Sequence, residues 1–198
     1  MRKKWIAYMV LTFFVLMLSF NTFADEVDEF TFRNCIKFGM SKAEVLQAEI
    51  EINQTNKSDW YPLTPGKWEW RFYDDFVEVS DYAGLVMYSF ADGFLQGANY
   101  MFGIYGEGEY KDLSEALSEV YGEKTSISND KLNEMARPVI AGVLGSDVKL
   151  SDGYVWYQDN VTIYEYQYGD DGQFAITYLN PEFDYEAFNN GTASTGGL

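Results

Sequence analysis

Apolar side chains along this chain change their spacing several times, and each change marks an element. Trp68, Trp70 and Phe72 alternate with Glu69, Arg71 and Tyr73, the period-two pattern of a half-buried strand. Asp74-Asp75 reads as a turn, and Phe76–Ser80 as a second, weaker strand. Leu85–Phe90 and Phe94–Phe102 predict a hairpin joined through Ala91-Asp92-Gly93. Val86, Tyr88 and Phe90 then share one face of the first arm, and Phe94, Ala98, Tyr100 and Phe102 one face of the second. Tyr154–Gln158, Val161–Tyr168 and Gln173–Leu179 follow as a meander, turning at Asp159-Asn160 and at Gly169-Asp170-Asp171-Gly172, with Pro181 at its end.

Two stretches carry helical spacing instead. Ser41 with Glu44 three residues on forms a capping box, which satisfies two orphaned backbone donors. It opens a helix over Lys42–Glu51 on which Val45, Leu46, Ala48 and Glu49 give only a narrow apolar stripe, so it packs one face on something larger. Gly39 turns the chain into that helix from an extended Phe32–Phe38 arm. A second helix over Tyr110–Tyr121 carries Leu113, Ala116, Leu117, Val120 and Tyr121, with Gly122 as its left-handed terminator. Residues 53–66, with Pro62, Pro65 and Gly66, read as a loop. In 123–150, Asp130–Ala136 suits a turn or two of helix, and Val139–Leu144 suits either a strand or a buried helix.

Strands joined by short turns pair antiparallel. Two helices with one apolar stripe each cover one face of such a sheet. The expected fold is α+β: a two-layer sandwich with an antiparallel sheet of about six to seven strands and two main helices on one face. The other face is left open, or covered by loops or a partner.

The ends change the picture. Arg2, Lys3 and Lys4 precede an uncharged run from Trp5 to Phe20, and Thr22-Phe23-Ala24 follows with small residues at the cleavage positions. This is the layout of a secretory signal peptide, residues 1–24. The run is shorter than the roughly 20 residues a membrane span needs. The expected organisation is then a single domain over 25–188 and a disordered, polar tail over 189–198, with the mature chain extracytoplasmic and carrying no further span. Residues 25–31 form an acidic leader.

The chain has 14 basic and 31 acidic residues. Removal of the leader leaves 11 against 31, a net charge of −20, which repels nucleic-acid phosphate. Histidine is absent, so His triads and His metal sites are excluded, along with the commonest general base near neutral pH. Cys35 is the only cysteine, so no intramolecular disulfide forms. Among aromatic and aliphatic neighbours it reads as a small buried apolar residue.

Phe38-Gly39-Met40-Ser41-Lys42-Ala43-Glu44-Val45 resembles the G-M-S/T-x-x-x-V helix opening of β-lactamase-inhibitor-like domains, shared by small lipoproteins of outer-membrane assembly. Leu117-Ser118-Glu119-Val120-Tyr121-Gly122-Glu123 is similar to the end of the second helix in that group. The resemblance implies helices on one face of an antiparallel sheet and a binding surface on the other. Lys124 or Thr125 stands where that group has proline, and the group's disulfides cannot form here. The shared motifs are cap chemistry, so no functional residue is carried over.

Trp156, Tyr164, Tyr166 and Tyr168 fall at strand spacing, and the three tyrosines share a face of a regular strand. Either they form an open surface that stacks on a protein or carbohydrate partner at the cell envelope, or they cover the sheet and pack beneath 123–150. Asp74/Asp75 and Asp170/Asp171 lie at turns, where aspartates ordinarily bond their own backbone. A carbohydrate hydrolase, the alternative to a binding domain, needs two carboxylates flanking a cleft. Gly169-Asp170-Asp171-Gly172 lacks the alternating ligands of a calcium loop. No cofactor and no metal are expected. The reading is a secreted, non-enzymatic binding domain.

Overall fold

The computed structural model describes residues 30–63, 67–79, 81–104, 106–136 and 147–190. The signal peptide, most of the acidic leader, the Val139–Leu144 run and the tail beyond Asn190 lie outside the described residues. Eight strands form one antiparallel sheet: β1 (Trp60–Leu63), β2 (Trp68–Val79), β3 (Tyr82–Ala91), β4 (Phe94–Ile104), β5 (Thr125–Ile127), β6 (Leu150–Tyr157), β7 (Thr162–Tyr168) and β8 (Gln173–Leu179). Their spatial order is β1-β2-β3-β4-β8-β7-β6-β5. Among the described residues there are four α-helices, α1 (Lys42–Glu51), α2 (Glu107–Tyr121), α3 (Asn129–Met135) and α4 (Tyr185–Asn190). None is long and apolar enough to cross a membrane.

The class is α+β, but the expected sheet of six to seven strands with two helices on one face is corrected in three ways. The two strands expected at Trp68–Tyr73 and Phe76–Ser80 are one strand. Asp74-Asp75 does not reverse the chain; it is a bulge between the pairs Phe72↔Met87 and Phe76↔Leu85. Both edge strands were missed. Pro62 and the nearby Pro65 and Gly66 hide β1 inside a loop signal, and β5 is three residues long. Third, helices lie on both faces, because α3 and α4 pack on the side expected to be open.

The first face carries Val86, Tyr88, Phe90, Ala98, Tyr100, Phe102, Trp156, Ile163, Phe174, Ile176 and Tyr178, packed against Val45 and Ala48 of α1 and Leu113 and Leu117 of α2. The capping box at Ser41 and Glu44 is formed, so α1 begins where its cap chemistry places it. Gly122 ends α2 at φ 84° and ψ −153°, positive in φ but outside the left-handed helical basin. The Asp92-Gly93 turn has positive φ at both residues, as a two-residue hairpin turn requires. Phe94 is the exception on this face. Gln96 is an extra residue between the pairs Ser89↔Gly97 and Phe90↔Leu95, so Leu95 points to the core and Phe94 is left exposed.

The second face carries Trp68, Trp70, Met87, Met101, Tyr164, Tyr166, Tyr168 and Ala175, in one cluster with Leu132 and Ala136 at α3 and Tyr185 and Phe188 of α4. Tyr185 stacks over Trp68, and Phe188 meets it edge-on. Trp68 Nε1 donates to Asn189 Oδ1, so the expected tail boundary at 189 falls inside α4.

Candidate functional site

The four aromatic candidates are not assembled on an open surface. Val155 pairs with Tyr164 and Trp156 with Ile163, which puts Trp156 on the first face and Tyr164, Tyr166 and Tyr168 on the second. All four are buried. Trp156 Nε1 donates to the Gly122 carbonyl at 3.1 Å, pinning the end of α2. Tyr166 Oη shares a 2.8 Å hydrogen bond with Thr177 Oγ1, which donates to Asn99 Oδ1, while Asn99 Nδ2 donates to Ser89 Oγ. This polar chain ties β7, β8, β4 and β3 together beneath the second-face helices. Tyr168 donates to the Phe102 carbonyl at 2.9 Å, and burial pushes its hydroxyl up to about 12. The tyrosines therefore serve the sheet's interior. The physical reason is the cover supplied by α3 and α4, helices of seven and six residues, too short to announce themselves by periodicity.

Carboxylates were the other candidate chemistry. Asp74, Asp75, Asp170 and Asp171 are all exposed. Asp75 Oδ1 accepts from the Phe76 N–H at 2.8 Å, the local bonding that aspartates make at irregular backbone. Among the described residues, no three of His, Cys, Asp and Glu gather closely enough to hold a metal ion. The crevice between α1 and the β1–β2 end of the sheet, walled by Lys42, Val45, Glu49, Trp60 and Arg71, encloses about 10 Å³, room for a single water.

Among the described residues two carboxylates are buried: Glu49, which the sequence places on the inward stripe of α1 without a role, and Glu165, which it does not single out. Glu49 of α1 is paired: Arg33 Nε donates to Oε1 at 2.8 Å, Arg33 Nη2 to Oε2 at 3.2 Å, and Tyr88 Oη to Oε1 at 2.5 Å. That network fastens the N-terminal arm and α1 to β3. Glu165 of β7 is fully buried, and among the described residues neither of its carboxylate oxygens has a hydrogen-bond partner. Burial raises its pKa to about 7. The Ser114 hydroxyl and the Lys124 ammonium pull the other way, although no donor, Ser114 included, reaches either oxygen with hydrogen-bond geometry. Lys124 donates instead to Ser114 Oγ and lies over the Tyr154 ring. A carboxyl poised near neutrality is the electrostatic signature of an acid–base residue, but this one faces the underside of α2, away from solvent. Its parity was visible: Val161, Ile163 and Glu165 share one face of the strand.

The open surface lies at the other end of the sheet. Tyr61 is opposite Phe72 and Leu63 opposite Trp70, so both point to the second face. Phe76, opposite Leu85, points the same way. Tyr61 is 48%, Leu63 36% and Phe76 66% exposed, and Phe72 and Leu85 between them are half-buried. Among the described residues α4 packs on Trp68, and the cluster it belongs to reaches Phe72 and Leu85 but leaves Tyr61, Leu63 and Phe76 exposed. Scattered exposed apolar residues are ordinary, but a contiguous group on one sheet face marks an interaction surface.

No protein-family model matches the chain, and no curated protein or solved structure matches it either.

Proposed function

We propose that this protein is an extracytoplasmic, non-enzymatic interaction domain that engages a cell-envelope partner through the open corner of its sheet at β1–β3. The observation that carries the reading is the grouping of Tyr61, Leu63 and Phe76 on one sheet face, with Phe72 and Leu85 as its floor. Aromatic side chains at such a surface give large contact area for little loss of rotamer freedom. The leader read in the first 24 residues and the strongly acidic composition favour a site of action outside the cytoplasm. The aromatic sheet face anticipated on β7 is thus replaced by one on β1 and β2.

Photo-crosslinking in the producing cell tests this. A photoreactive phenylalanine at Phe76 or Tyr61 is expected to capture a discrete envelope partner, and the same group at exposed Val120 on α2 is not. No adduct at either β position, or an equal adduct at Val120, contradicts the reading.

A further inference from the structure

The corner that the proposed function rests on has a second property, a free backbone edge. β1 pairs only with Trp70–Tyr73 of β2. Among the described residues, no strand lies along the outer side of Phe76–Val79. Val79 and Tyr82 close the β2–β3 hairpin across two residues and so form a bonded ladder pair, which by alternation turns the Phe76 backbone outward, where its N–H is taken by Asp75 Oδ1. In an antiparallel ladder the outward positions alternate, which makes Glu78 the next residue with its N–H and C=O facing away from β3. Two of the usual guards against strand addition, proline and lysine, are absent here, while the Asp74-Asp75 bulge and the charge of Glu78 remain and narrow what can pair. β1 is short and carries Pro62, whereas Phe76–Val79 holds neither proline nor lysine and exposes Phe76.

The charge on this edge selects its occupant. Asp74, Asp75, Glu78 and Asp81 are all exposed, and no Lys or Arg occurs from Phe72 to Tyr110. A second copy of this chain would bring the same four carboxylates against them, and like charges directly opposite are destabilising. We propose that the outer edge of β2 takes up an extended, cationic segment of a partner protein by strand addition. Phe76 and Glu78 lie on the same side of the strand, two residues apart. The complementary segment therefore places an apolar residue opposite Phe76 and a Lys or Arg opposite Glu78. A further basic residue two positions beyond the apolar one meets the Asp74-Asp75 bulge. Main-chain bonds supply pairing and the alternate side chains supply selectivity.

A titration of the whole secreted chain with synthetic peptides, followed by amide NMR, tests the proposal. The probe is a blocked Thr-Lys-Thr-Val-Thr-Lys-Thr peptide, and the control replaces both lysines by glutamates. The lysine peptide is expected to shift the Phe76, Val77 and Glu78 amides and to bind about tenfold or more tightly than the control. Its affinity should fall on going from 0.05 M to about 0.5 M salt, where screening shortens the reach of the carboxylates. Glu78→Pro removes the outward N–H and should abolish binding, whereas Glu78→Gln keeps that donor and should only weaken it. Near-UV circular dichroism of both variants shows that the fold is retained. Binding that is equal for both peptides, or unchanged in Glu78→Pro, overturns strand addition. Shifts confined to other elements overturn it as well, and a rise in sedimentation coefficient without peptide points to a second copy. Loss of peptide binding with the Phe76 crosslink intact would remove this inference alone, whereas loss of the crosslink would remove the reading beneath it.

Discussion

Phe76 stands directly opposite Leu85 on the second face of the sheet, and two-thirds of its surface is open to solvent. A few strands away on the same face, Tyr166 is wholly buried. The two rings answer the same pattern of apolar spacing and serve different ends, one toward the interior and one toward a partner.

That difference predicts opposite responses to truncation. Phe76→Ser should change stability by no more than about 0.5 kcal/mol, the range for exposed positions away from special features, while removing partner capture. Urea unfolding beside crosslinking yield reads both. A loss of more than about 2 kcal/mol would mean that Phe76 belongs to the core.

Thr177 should behave in the converse way. Its hydroxyl lies between Tyr166 Oη and Asn99 Oδ1. Thr177→Val leaves both without that partner inside the sheet, at a cost of about 1–3 kcal/mol. Tyr166→Phe should cost less, about 1 kcal/mol, because Thr177 keeps Asn99. Neither change should touch partner binding, and equilibrium unfolding of the two variants checks the order.

Arg33 and Glu49 give a third test. Arg33 is largely covered, and Glu49 is fully buried. Arg33→Ala leaves the carboxylate with Tyr88 alone and should cost about 2–4 kcal/mol, while Glu49→Gln in that background should recover part of the loss. A double-mutant cycle by denaturant unfolding measures the coupling. A coupling near zero would show that the arm is not held by this pair.

Glu165 sets a pH dependence whose sign follows from its burial. Its pKa is raised from 4.5 to about 7, so the folded chain holds the proton more tightly than the unfolded chain. This contribution to stability is whole below pH 4.5, declines as pH rises to about 7, and is absent above it. The shift corresponds to a loss on the order of 3 kcal/mol. Glu165→Gln should therefore match the native protein near pH 4.5 and exceed it at pH 8, as read by unfolding across that range. A difference that stays flat, or grows toward acid, would show that the carboxylate finds a partner in solution.

Much of this architecture was legible in the residues. Ser41 and Glu44 fixed the start of α1, Asp92-Gly93 fixed the β3–β4 turn, and Val86, Tyr88 and Phe90 all face the core. What escaped depends on single inserted residues and on short elements. Gln96 flips Phe94 outward, and Asp74-Asp75 bends β2 without ending it. Leu132, Tyr185 and Phe188 close over the β7 tyrosines from helices of two turns or fewer. Tertiary cover of that kind leaves no periodic trace in a single strand, so the sequence marked the aromatic face without saying which part of it stays open.

The most direct test of the central claim is amide hydrogen exchange on the purified chain, alone and with a solubilised envelope fraction of the producing cell. Protection confined to Trp60–Leu63 and Phe76–Val79 is the predicted result. No added protection there, or protection centred on α1 and α2, would contradict the assignment of the open corner as the binding surface.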